Sequence, residues 1–234
     1  MSKLREMFGE GWYNALGEYL QSPNFRTEIG SGLLTLSKKG VEITPKFTDT
    51  FRAFKECPWE KIHTVILGMD PYPGKIDKTT YVADGLAFSS RDSKTCPKSL
   101  QFIFNAVNKD IYDNAGYYPE NFDLKRWANQ GILLLNCALS LPIKEKSGTH
   151  IELWRLFITK VLSLINSEKK NIGFILMGQH AKIYSRLLNN STFAVYSCNH
   201  PSSANYNGGK WNHEGVFKAL DAYHRTINNI KIDW

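Results

Sequence analysis

No run of 18 apolar residues occurs in the 234-residue chain, so hydropathy gives no membrane-spanning helix. The opening stretch MSKLREMFGEGWYNAL is broken by charge at once, and no secretory leader is expected there. Cysteine is scarce: Cys57, Cys96, Cys137 and Cys198 are the only four, and they lie far apart. No CxxC or CxxH pair exists, which removes a metal knuckle and a redox dithiol and leaves reduced thiols in an intracellular protein as the expectation. Repeats, low-complexity segments and Gly/Ser linkers are also missing, so a single domain over 1–234 is expected. There is no P-loop, no GxGxxG behind a strand, no HExxH and no GxSxG. The familiar phosphate cradles, zinc-protease sites and serine-hydrolase elbows therefore have no motif here.

What the chain does have is a basic balance, with a formal net charge of +7 and a pI near 9.1. That permits a polyanionic partner, nucleic acid being the common one. The lysines form no single block, so no disordered basic tail is indicated. Apolar residues make up 42%, enough for a full core. Apolar runs resembling buried strands recur at 63–69, 131–139, 171–178 and 193–200. Helix-like stretches lie at 99–111, 122–130, 151–168, 180–190 and 213–228. In IELWRLFITKVLSLI, Leu153, Leu156, Phe157, Val161 and Leu164 recur at three- and four-residue steps and predict one apolar helix face. Strands alternating with helices predict an α/β fold of three layers, α/β/α, around a central, mostly parallel four-stranded sheet.

Ligands of such sheets bind beyond the carboxyl ends of the strands. The rule singles out Asp70 and Tyr72 after the first strand, Asn136 at the end of the second and His200 at the end of the fourth, all at one rim. Asp70 and Tyr72 each precede a proline, in VILGMDPYPG, and are stiffened by it. A carboxylate placed there can orient a water, act as a base or stabilise a cation. It can equally be an Asx turn or a helix cap. The Asn136 amide offers one acceptor and two donors and could read both an N–H and a C=O on a base edge, or merely cap a strand. His200 can be acid, base or neutral donor to a developing anion, or a structural histidine. Beyond it, Ser202, Ser203, Asn205, Gly208 and Gly209 offer hydroxyls and backbone N–H groups to phosphate oxygens, or form a plain surface loop. Taken alone, Phe88 in GLAFSS is more readily core than stacking platform. Trp12, Trp127 and Trp154 are expected in the core, and Cys137 as packing only. No nucleophilic Ser or Cys motif accompanies Asp70 and His200, so a reaction needing a positioned water and electrostatics fits best.

At this point the ordered motifs resemble those of family-1 uracil-DNA glycosylases from near the start of the chain to its end. GMDPYP at 68–73 matches the water-activating GQDPYH; Gly85 to Ser89 match the uracil-stacking GLxFS; Cys96-Pro97-Lys98-Ser99-Leu100 match the backbone-pinching PPPSL. Leu133 to Asn136 match LLLN, HPSSAN at 200–205 matches the minor-groove loop HPSPLS, and Ile232, Asp233 and Trp234 match the terminal IDW. GWYNAL near the start and FRAF at 51–54 fit as well. The resemblance implies that uracil is flipped out of DNA into a pocket. Phe88 would stack on the ring, and Asn136 would pair with N3–H and O4. Tyr72 would exclude the 5-methyl of thymine, and Met69 would stand where the motif's Gln contributes mainly through its backbone. Asp70 would hold the water and stabilise an oxocarbenium-like sugar, and His200 would donate to O2 of the leaving anion. Pro97, Lys98, Ser99, Gln179, Pro201, Ser202, Ser203, Ala204 and Asn205 would meet DNA. No metal or cofactor is implied. The implied partners are uracil-containing DNA, single- or double-stranded, and a proteinaceous uracil-glycosylase inhibitor. The chain itself would be a monomer without membrane attachment. It would work in the cytoplasm if bacterial or phage-borne, or in the nucleus if eukaryotic or viral.

Five features depart from the pattern. Met69 replaces Gln, with little loss expected. Pro73 replaces a phosphate-contacting His, although some members of the family carry GxDPYP. The connection after Pro73, GKIDKTTYVAD, is longer than usual; its Lys75 and Lys78 could restore a phosphate contact or simply be solvated. Ala204 stands where an intercalating Leu belongs, and Gln179 where a Ser would follow Gly. Weaker duplex invasion and relatively better action on single strands are expected. Two rival functions share the fold: a DNA-binding, replication-associated protein with weakened catalysis, and a glycosylase for another modified pyrimidine.

Overall fold

Four apolar segments condense into one parallel sheet in the computed structural model, which describes residues 3–116, 119 and 121–234. The strands are β1 (Thr64–Gly68), β2 (Ile132–Asn136), β3 (Gly173–Met177) and β4 (Ala194–Cys198). Their spatial order is β2-β1-β3-β4. Every residue of β1, β2 and β3 is buried, as a sheet covered on both faces requires. β4 lies at an edge and differs from the continuous burial expected of it: Val195 and Ser197 are exposed while Cys198 is buried. One of its faces is left uncovered, so it returns to the alternating pattern of a half-covered strand.

The chain leaves β1 for β2 on one side and then crosses to β3 on the other. The order therefore reverses beside β1, and a crevice opens at the carboxyl ends there. Register aligns the rim, because Gly68 pairs with Asn136 and Met177 with Cys198. The principal helices are α1 (Lys98–Tyr112), α2 (Lys125–Asn129), α3 (Ile151–Glu168) and α4 (Val216–Tyr223). Two short strands, Ile43–Thr44 and Leu141–Pro142, pair antiparallel apart from the main sheet.

Helix α3 corrects the expected apolar face. Its buried stripe is Trp154, Phe157, Ile158, Val161, Leu162 and Ile165, whereas Leu156 is 54% exposed and Leu153 and Leu164 are only half-buried. Trp154 draws the stripe toward itself, because its indole N–H donates to Ser140 Oγ at 2.8 Å inside the core. The 180–190 stretch divides into a helical turn, Gln179–Lys182, and a 3-10 turn, Ile183–Arg186. The 213–228 stretch is α-helical only over Val216–Tyr223 and widens to a π-turn, His224–Asn228.

Short helices before residue 40, to which the strand-and-helix pattern assigned nothing, supply one aromatic cluster: Phe8 lies 4.5 Å from Phe51, and Phe54 lies 5.7 Å from Phe157 on α3. A second cluster joins Trp127 to Trp234 at 5.2 Å and Trp234 to Phe217 at 5.3 Å. Each such pair adds about 0.5–1.5 kcal/mol beyond its buried area. Trp12, Trp127, Trp154 and Cys137 are all buried, and the four cysteines are free.

Candidate functional site

A cavity of about 170 Å3 opens at the carboxyl end of the sheet. Met69, Asp70, Tyr72, Phe88, Asn136 and His200 line it together, with Ser99 and Ser202 at its margin. Residues from four separate stretches of chain thus meet at one rim. Ser147, Ala83, Leu86, Pro71 and Pro73 complete the wall.

Gly68 makes the close approach possible. A Cβ at this last residue of β1 would collide with Asn136 Oδ1 and come within 2.9 Å of Phe88 Cζ. The Asn136 side chain is buried, yet its amide has no hydrogen-bond partner among the described residues. A buried amide left open toward a cavity is a polar group reserved for a ligand.

Phe88 is 8% exposed and has φ +66, a left-handed conformation that costs a bulky residue about 1–3 kcal/mol. Neighbouring groups over-determine it. Tyr72 Oη donates to the Phe88 carbonyl at 2.9 Å, and Ala87 N–H donates to Leu134 O on β2 at 3.1 Å. Behind the loop Asp84, 2% exposed, accepts from Ser89 Oγ and from Arg91 N–H, each at 2.7 Å. The buried Arg52 closes the bracket, 2.9 Å from Asp84 and forked onto Asp123 at 2.8 and 2.9 Å. Burial also pushes the Tyr72 phenol upward, so it stays a neutral donor.

Asp70 sits opposite. Gly148 N–H donates to its Oδ2 at 2.6 Å. Burial raises the carboxyl above its ordinary value, and the Gly148 and Ser147 hydrogen bonds only partly oppose that. A carboxylate that is ionised yet more basic than usual suits proton acceptance from water.

His200 is held by its own turn. Ser202 N–H donates to Nδ1 at 3.2 Å, and Ser202 Oγ lies 2.8 Å from the same nitrogen. Nδ1 is therefore the acceptor, and the ring proton resides on Nε2. Burial, with the nearby His180, lowers the imidazole to about 4, so it is neutral at physiological pH. Its ring lies 5.6 Å from that of Phe88. Gly178, with φ +87, permits this seat, since a Cβ there would fall 2.9 Å from His200 Cβ.

The outlying residues divide. Pro97 precedes α1, Lys98 opens it and is exposed, and Ser99 reaches the cavity. The N-terminus of this 15-residue helix therefore lies at the rim, where its dipole favours an anion. Ser203 is half-buried and Asn205 exposed, whereas Pro201 and Ala204 are buried. Ala204 is 0% exposed, so its methyl group packs inward and offers nothing to a duplex. Gln179 is exposed outside the cavity, in a hollow with Lys182 and Arg186.

Lys75 is already engaged: it forms an ion pair with Glu42, donates to Lys78 O at 2.8 Å and lies over the Tyr81 ring. The 74–84 segment is thereby folded into a small hairpin around the Asp77 turn, with Lys78 exposed. Asp77 is held at about 2, chiefly by the Thr79 and Thr80 N–H groups. Among the described residues no three His, Cys, Asp or Glu side chains gather in a way that could hold a metal ion, and no helix is long and apolar enough to cross a membrane.

Sequence reasoning missed Ser147, Gly148, Arg52 and Asp84. The first two lie in KEKSGTH, a turn whose composition says nothing about the distant Asp70. The Arg52–Asp84 pair links residues 32 apart by a contact that no periodicity encodes.

No protein-family model matches the chain. Among curated proteins, the uracil-DNA glycosylase of Coxiella burnetii (strain RSA 493 / Nine Mile phase I) is 36% identical over 224 residues, 95% of this chain and 93% of that protein. The uracil-DNA glycosylase of a Geobacillus species is 31% identical over 232 residues, 99% of this chain and 93% of that one. Among solved structures, that of mimivirus uracil-DNA glycosylase superposes with a TM-score of 0.87 over 99% of this chain and 89% of that chain, at 22% identity, a likeness of fold. A mimivirus UNG variant in complex with UGI has a TM-score of 0.77 and 25% identity, covering 85% of this chain and 72% of that chain.

Proposed function

We propose the following activity for a chain that belongs to the uracil-DNA glycosylase family: it hydrolyses the N-glycosidic bond of deoxyuridine in DNA, releasing uracil and leaving an abasic site for base excision repair. A single domain over 1–234 carries the whole site in this reading. The observation that supports the residue roles best is the convergence of Asp70, Tyr72, Phe88, Asn136 and His200 on one cavity.

Uracil enters that cavity flipped out of the stack, because its glycosidic carbon cannot be reached inside it. Phe88 stacks on the ring. The open Asn136 amide accepts from N3–H and donates to O4, a pattern that cytosine inverts. Tyr72, fixed by its bond to Phe88 O, fills the space that a 5-methyl group needs. Rejecting thymine by steric exclusion achieves what an apolar pocket does poorly.

Asp70 orients a water and stabilises positive charge growing on the sugar. The water oxygen bonds to C1′, the C1′–N1 bond breaks, and its electron pair leaves with uracil N1. Asp70 takes the proton that water loses. His200, neutral and protonated on Nε2, donates to O2 of the uracil anion as it forms. A hydrogen bond to a charged group contributes about 1.5–3 kcal/mol, and here it strengthens in the transition state.

The α1 N-terminus with Lys98 and Ser99, together with Ser202, Ser203, Asn205 and Gln179, holds the DNA backbone. A proteinaceous inhibitor is a further partner by analogy with the mimivirus complex. A DNA substrate places the chain's work inside the cell, in the cytoplasm or the nucleus according to host.

The test is release of free base from matched single- and double-stranded oligonucleotides carrying one uracil, without added metal, with Asp70→Asn alongside. Release by the wild type and loss of at least about 100-fold in turnover with binding kept are expected for a residue acting in the transition state. Equal loss of binding and turnover would remove Asp70 from its role. No release from either strand form would overturn the activity.

A further inference from the structure

A second cavity serves no step of the reaction above. It holds about 580 Å3, against about 170 Å3 for the cavity of Asp70 and His200, and the two share no lining residue. One wall is the π-turn Arg26–Gly30 running into the helix Ser31–Lys38. Along it Arg26, Ile29, Gly30, Leu33, Leu34 and Ser37 recur at three- and four-residue steps and present one face about 16 Å long. The helix Lys3–Phe8 and the 41–51 stretch supply the rest. The floor is core, since Phe25, Ile29 and Phe51 are buried. The mouth is not: Leu34 is 55% and Phe47 50% exposed. A Cβ at Gly30 would meet nothing within 4 Å, so the space over the middle of the face is open. Apolar surface left in water around a concave floor marks a docking groove.

Charge tells what the groove accepts. Arg26 is the only charged residue in its wall, and its guanidinium is exposed without a partner among the described residues. Lys3 lies 5.9 Å over the Phe47 ring, Lys46 precedes that ring in the chain, and Lys38 follows Ser37 of the wall. None of these lysines is ion-paired among the described residues. Across 23–47 the cations Arg26, Lys38, Lys39 and Lys46 outnumber Glu28 and Glu42. Glu42 is already taken, by Lys75 and the Tyr81 hydroxyl. Glu6 and Asp49 line an adjoining hollow together with Lys3, Arg52, Lys55 and Arg91. The unmet need is for carboxylates beside an apolar surface. A helix with an apolar stripe at i, i+3/i+4 and i+7 and acidic flanks supplies both.

We propose that this groove docks an amphipathic helix of a partner protein, whose apolar stripe covers Leu34 and Phe47 and whose acidic flank pairs with Arg26. The face from Arg26 to Ser37 is as long as about three helical turns, which sets the length of helix it can seat. Gly30 lets the incoming helix come close to the wall, as a small residue does between packed helices.

A phage-displayed library of randomised helical peptides of about 15 residues, panned on the full chain, tests it. Enriched peptides are expected to carry net negative charge and apolar residues at i, i+3/i+4 and i+7. Leu34→Gln should weaken the binding of a purified enriched peptide by at least about 10-fold, and Gly30→Leu, which fills the groove, by as much. Gly30 has helical backbone, φ −64 and ψ −47, so Gly30→Leu should melt no lower than the wild type and lose docking alone. Arg26→Gln should cost about 2- to 5-fold at low salt and less as salt rises. No enrichment, or binding indifferent to Leu34→Gln and Gly30→Leu, would overturn the docking groove. Enriched peptides of net positive charge, or no salt-dependent loss in Arg26→Gln, would overturn the acidic partner. Sedimentation of the chain alone tests the other occupant: a dimer that Gly30→Leu dissolves would put a second copy in the groove and overturn the partner helix.

Discussion

Asp70 is held where burial works against its charge, and this makes a prediction about stability whose sign can be worked out. Its pKa is raised in the fold. As pH rises through the ordinary carboxylate range, the unfolded chain ionises first, and the folded wild type is penalised relative to it. Asn avoids that penalty and can still accept from Gly148 N–H. Asp70→Asn should therefore melt higher than the wild type at pH 7 and at the same temperature below about pH 3, where both forms are uncharged. Differential scanning calorimetry at the two pH values checks it.

The same residue sets an acid limb in kcat/KM above the ordinary carboxylate range, because the base must be ionised. Ala204 gives the opposite kind of prediction. Sequence alone makes Ala204→Leu a gap-filling gain on duplex, but the methyl is buried. Three added carbons overpack the turn, so the variant should lose about 1–3 kcal/mol in urea titration and gain no duplex activity.

The loop from Asp84 to Arg91 is an element shaped by charge rather than by pattern. Arg52 faces three carboxylates, of Asp84, Asp123 and Glu56, and of these only Glu56 has a second cation, Lys125, so removing Arg52 leaves Asp84 and Asp123 uncompensated. Arg52→Met should lower the unfolding free energy by about 3–5 kcal/mol, and adding Asp84→Asn should return part of that. A double-mutant cycle by denaturant titration measures the coupling, and a simple sum of the two losses would contradict the bracket.

This element also marks the limit of what was legible. The central strands and α1 could be read because burial on a sheet or along one helix face leaves a periodic trace. The rim residues could be read because strand ends are fixed points of an α/β sheet. The stripe of α3 was misread by weighing all apolar residues alike, when a tryptophan with a buried partner at Ser140 sets the phase. The Arg52 bracket and the Gly148 N–H behind Asp70 left no trace, because each is a single contact between distant segments.

At the scale of the molecule four depressed histidines, His63, His150, His200 and His224, make acid the main threat to the fold. His200 and His224 are both held near 4, chiefly by burial. Depressed histidines contribute nothing to the pH dependence above the ordinary range. Below it the unfolded chain takes up protons that the fold refuses, so stability falls as pH drops from about 6.5 toward 4. Urea midpoints over that window should decline with an uptake of up to four protons on unfolding, since burial lowers His63 and His150 as well. His224→Gln should make the decline shallower without touching the cavity, because His224 bonds Thr64 and Asn228 far from the rim.

The place of β4 carries one more consequence. The strand that leads to His200 is joined to the sheet along one side only. It is the half-exposed edge and can fray while the fully buried β1, β2 and β3 stay paired, so amide protons of residues 194–198 should exchange with solvent ahead of those in the other three strands. Each such excursion withdraws the proton donor and leaves Asp70, Phe88 and Asn136 in place. Warming should therefore silence the enzyme some degrees before it unfolds it.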